Sequence, residues 1–99
     1  MILYNVTVKI QKEIEQEWLQ WMREVHIPDV MNTGLFVDQK ICRIFEDDPA
    51  GSTYAFQYYC KDMDTFQQYQ DQHAKALQAD HAQRYNNRYV AFRTLMEVL

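Results

Sequence analysis

An α+β sandwich is the fold class this sequence predicts: one four-stranded antiparallel sheet with two helices on a single face, in the order β-α-β-β-α-β. Three observations predict it. The chain opens on a run of period two, Ile2 to Ile10, and changes at Glu13 to apolar steps of three and four. A turn-rich stretch, Asp47-Asp48-Pro49-Ala50-Gly51, separates two runs rich in β-branched and aromatic residues. A second helical stripe then precedes a last extended run that reaches Leu99.

In the first strand Ile2, Tyr4, Val6, Val8 and Ile10 share one face, and Leu3, Asn5, Thr7 and Lys9 the other. Helix 1 follows with Ile14, Trp18, Trp21, Met22 and Val25 on its buried stripe and acidic residues at its start, where the macrodipole favours them. Pro28 has no N–H to donate, so the helix is expected to break near His26-Ile27 and restart as a short turn, Pro28 to Thr33, closed by Gly34. Strand 2, roughly Phe36 to Glu46, and strand 3, Ser52 to Cys60, form a hairpin. Helix 2 opens on Asp64 and Gln67, spaced as a capping box, and buries Phe66, Tyr69, His73, Ala76 and Leu77; Asn86 and Asn87 end it. Strand 4 spans Arg88 to Leu99. This is the split βαβ, ferredoxin-like arrangement, with strand order 4-1-3-2 and residues 1–99 forming one domain. Strands 3 and 4 are apolar on both faces, and two helices cover only one. The other face is expected to meet a second copy, giving a homodimer that buries about 1,600 Å² or more.

Composition narrows the function. A net charge of −4 argues against nucleic acid and an anionic membrane surface as partners. No apolar run reaches a bilayer span, and the first residues lack the basic start of a signal peptide, so a cytoplasmic protein is expected. Cys42 and Cys60 suit a reducing compartment. Two glycines leave no phosphate-binding loop, and neither a cofactor nor a metal is expected.

The opening Met1-Ile2-Leu3-Tyr4-Asn5-Val6-Thr7-Val8, the pair Trp18 and Trp21, His26-Ile27-Pro28 with Val30, and Thr33-Gly34-Leu35-Phe36 together resemble DUF4286, a family of short, mainly bacterial proteins. Tyr54 to Tyr58, Tyr69 with His73-Ala74, and Val90 to Leu95 extend the resemblance over nearly the whole chain. It brings no activity with it. More distantly the topology resembles the dimeric α+β barrel superfamily, which implies two protomers closing their sheets into a barrel and admits monooxygenases, haem-degrading enzymes, isomerases and ligand-binding regulators.

Within that frame the candidate pocket lies between helices and sheet. Its candidate residues are Asn5 from strand 1, Trp18, Trp21 and His26 from helix 1 and its break, and Tyr69 and His73 from helix 2. The aromatics would floor a site for a small hydrophobic or planar ligand, while Asn5 and an imidazole fix its polar edge. Each has a plainer role as core or as a cap. In the haem-degrading relatives an asparagine on strand 1, a tryptophan on helix 2 and a later histidine act together. Here Asn5 matches, Tyr69 replaces the tryptophan, and His73 or His81 fits loosely. On a regular helix His73 and His81 lie ~12 Å apart, too far to share a metal. Arg93 and Arg43 near the sheet face each need a carboxylate such as Glu97 or Glu46, or an anionic ligand. The function expected is therefore a ligand-binding or structural homodimer. The alternative is a cofactor-free monooxygenase or haem-degrading-like enzyme, or an isomerase, on a small hydrophobic substrate. RNA binding is the remote alternative, through Tyr54-Ala55-Phe56-Gln57-Tyr58-Tyr59, part of the pattern by which RNA-recognition domains stack bases.

Overall fold

A computed structural model describes residues 1–99. Four strands, β1 (Ile2–Gln11), β2 (Asp38–Ile44), β3 (Gly51–Cys60) and β4 (Tyr89–Glu97), form one antiparallel sheet in the order β2-β3-β1-β4. This is the ferredoxin-like topology the periodicity predicts. Register settles the faces: Val6 lies between Phe56 and Arg93, and Asn5 between Gln57 and Thr94. Tyr4, Val8 and Ile10 of β1 join Tyr54, Phe56 and Tyr58 of β3 in the core beneath the helices.

The first helical arm does not break at Pro28. Helix α1 (Glu15–Trp21) runs into a π turn, Met22–His26, and on into α2 (Ile27–Met31) with helical dihedrals at each junction. The N–H of Ile27 reaches back five residues to the Met22 carbonyl. That wider ring accommodates the missing Pro28 donor, which a regular turn would leave as a gap and a clash. Gly34 then turns the chain out of the helix at φ +77°, a left-handed conformation suited to glycine.

A second helical arm has the same construction: α3 (Met63–Tyr69), a π turn Gln70–Ala74 and α4 (Lys75–Arg84). Its cap is Asp62, not Asp64. The Asp62 carboxylate accepts from the Thr65 N–H at 2.8 Å and the Thr65 hydroxyl at 2.6 Å, and Asp62 alone has the extended backbone a cap requires. Ala76 is exposed and Ala74 takes its place in the core, because the π turn inserts a residue and rotates the stripe.

Opposite the helices the sheet is bare. Its two middle strands are more polar than the strand pattern suggests, with Asn5, Thr7, Thr53 and Gln57 on this face. Apolar side chains collect along β4, where Val90 is 71% and Phe92 63% exposed.

Candidate functional site

A cavity opens between the helical layer and β1, β3 and β4, beside the edge strand β4. Val6, Val8 and Ala91 floor it, and Met22, Val30 and Leu77 roof it from the two arms. Space for the centres of water-sized molecules is about 40 Å³, room for roughly three waters. Onto these apolar walls converge Tyr4 from β1, His26 from the first π turn, His81 from α4 and Arg93 from β4.

His81 is buried, and its Nε2 accepts from the Trp18 indole N–H at 2.9 Å. Indole only donates, so this bond requires an unprotonated Nε2 and a neutral ring. Burial pushes the His81 imidazole down to about 4, helped by His26 and Arg93 nearby. The His26 ring stands edge-on to it at 5.8 Å, with a buried Nδ1 that has no hydrogen-bond partner. Burial lowers His26 as well, against the pull of Asp80 and Asp29. Trp21 packs against both imidazoles, at 5.5 Å from His26 and 6.0 Å from His81. Burial also raises the Tyr58 and Tyr69 phenols, so both stay protonated at neutral pH.

Arg93 donates from Nε to the Tyr4 hydroxyl at 3.1 Å and has no carboxylate within 4 Å. Glu97 and Glu46, expected as ion-pair partners, are not used this way: Glu46 pairs with Lys9, and Arg43 meets Glu15 at 3.6 Å.

Of the residues singled out in the sequence, His26 and Tyr69 line the cavity. Trp18 and Trp21 stand behind it and hold its histidines. His73 stacks on Tyr69 at 6.3 Å outside the lining. Asn5 lies on the bare face, its amide donating to Thr7 Oγ1 at 2.9 Å, with the sheet between it and His73. Strand alternation forces this once Tyr4 and Val6 face the helices. A porphyrin site of the asparagine, aromatic and histidine kind therefore does not fit these residues: its asparagine points away and the cavity is far too small. Tyr54, Phe56 and Tyr58 are buried under the helices, so they cannot stack bases as the RNA-binding reading requires. Nowhere do three or more His, Cys, Asp or Glu side chains converge.

His81 and Arg93 carry more of the site than their sequence context suggests. Tyr69, His73, Leu77, His81 and Tyr85 recur at four-residue steps, a stripe that drifts off one face of a regular helix. The π turn changes that drift.

Comparison with known structures supports the fold. The chain is similar to an antibiotic biosynthesis monooxygenase (15% identity, TM-score 0.70, covering 100% of this chain and 99% of that one). It is similar also to a dimeric ferredoxin-like protein from an uncultured marine organism (12%, 0.73, 100% and 95%). A third is a mutant of MhuD with two manganese protoporphyrin IX molecules per active site (15%, 0.72, 100% and 95%). No curated protein matches in sequence. The profile of DUF4286, a domain of unknown function, matches residues 1–99, and the chain belongs to that family.

Proposed function

We propose that the protein is a homodimeric module that takes a small, largely apolar ligand into the cavity between helices and sheet. One observation carries this reading: an apolar cavity receives Tyr4, His26, His81 and Arg93 from four separate elements, the few convergent polar groups a ligand site needs. The exposed strip Val90, Phe92 and Met96 supports pairing through the bare sheet face, as does the fold of the dimeric ferredoxin-like protein. Two free cysteines, Cys42 and Cys60, fit a reducing cytosol. No helix is long and apolar enough to cross a membrane.

The test is a methyl NMR titration with small aliphatic compounds of three to four carbons. Saturable shifts at Val6, Val8 and Leu77 are expected, and Ala91→Trp, which fills the floor, should abolish them while the fold persists. Shifts absent for every compound, or unchanged in the filled variant, overturn the reading.

A second reading has the same cavity perform cofactor-free oxygenation or isomerisation. It draws on the neutral, unpartnered His26 Nδ1, a group suited to accept a proton, and on the monooxygenase of the same fold. Oxygen uptake or substrate isomerisation lost in His26→Gln supports it; ligand binding without turnover excludes it.

A further inference from the structure

Charge is distributed unevenly between this protein and its cavity. The chain carries 14 acidic against 10 basic residues. Its cavity reverses that balance: among the fifteen lining residues Arg93 is the one charged side chain, beside two neutral imidazoles and no aspartate or glutamate. An exposed arginine is ordinarily free to wander in solvent. Arg93 is tied instead, its Nε donating to the hydroxyl of buried Tyr4, and this bond holds the guanidinium at the cavity wall. With Nε occupied, the two terminal nitrogens keep the fork that grips a carboxylate with two parallel hydrogen bonds. No carboxylate of this chain fills the fork, whereas the other arginine near the sheet face, Arg43, has Glu15.

We infer that the ligand is a small aliphatic organic acid, its carboxylate seated on the terminal nitrogens of Arg93 and its short chain lying against Val6, Val8 and Leu77. The inference rests on the ligand-binding reading above and adds the chemical class. A cationic ligand finds no acidic group in the lining. A neutral one leaves the terminal nitrogens of Arg93 to water and gains no charge-assisted bond from the fork. The acid satisfies both ends, and room for roughly three waters selects a chain of a few carbons rather than a ring.

Matched pairs test this: propionate against propionamide and butyrate against butyramide, titrated at neutral pH with the methyls of Val6, Val8 and Leu77 observed. Each acid should bind about tenfold or more tightly than its amide, the scale of a charge-assisted pair. Arg93→Gln should erase that preference by weakening the acid and leaving the amide unchanged, and Arg93→Lys should restore part of it. Arg93 is exposed, so neither variant threatens the fold. Equal binding of acid and amide to the native protein, or an acid preference that survives in Arg93→Gln, overturns the inference and leaves the cavity reading standing. Binding of neither member of either pair overturns both.

Discussion

The indole N–H of Trp18 and Nε2 of His81, sixty-three positions apart, meet at 2.9 Å inside the protein. The bond ties the first helical arm to the second behind the cavity. It also sets the protonation of His81: an imidazole whose Nε2 accepts carries its proton on Nδ1.

Replacing Trp18 with Phe removes the donor and part of a fully buried ring. The expected loss is about 2–4 kcal/mol of stability, from the vacated volume and the orphaned acceptor together. Nitrogen NMR of the imidazole should show a single Nδ1–H tautomer in the native protein and a mixture in the variant, while urea unfolding gives the energy.

Acid should destabilise the fold through His81. Its folded value of about 4 lies below its ordinary 6.5, so the unfolded chain binds the extra proton first. The neutral ring's contribution is complete above pH 6.5, declines as pH falls from there to 4, and is flat below. Over that window the loss is about 3 kcal/mol. His26 is shifted in the same direction and adds to the slope. His81→Gln, which can still accept from Trp18 and does not titrate, should flatten the curve between pH 6.5 and 4 when unfolding is followed by circular dichroism.

The two aspartates at the start of α3 should behave differently. Asp62→Ala removes the side chain that holds Thr65 and should cost about 1 kcal/mol. Asp64→Ala, at an exposed position inside the first turn, should cost a few tenths at most, roughly the macrodipole effect. Equal losses in thermal unfolding would place the cap wrongly.

Assembly is tested on β4. Light scattering should give twice the chain mass for the native protein at micromolar concentration, and Phe92→Glu should give a folded monomer, since an interfacial charge without a partner is strongly unfavourable. A native monomer, or a dimer indifferent to Phe92→Glu, removes the bare sheet face as the interface.

The order of elements was legible in the sequence because alternation and helical spacing are local properties: Ile2 to Ile10 can only be half-buried strand, and Trp18, Trp21 and Met22 only one face of a helix. Gly34 and Asn87 announced their turns for a similar reason, as residues that tolerate positive φ where a helix must end. Tertiary structure decided the rest. Parity divides β1 into two sets without saying which meets the helices, and Asn5 lay with the wrong set for the cavity. Pro28 signalled trouble in the hydrogen-bond ladder, but a break and a π turn answer it equally well within one helix. His81 becomes a site residue through Trp18, and Arg93 through Tyr4, in each case a partner more than sixty positions away. Such pairings depend on how the layers stack, and no window of sequence contains them.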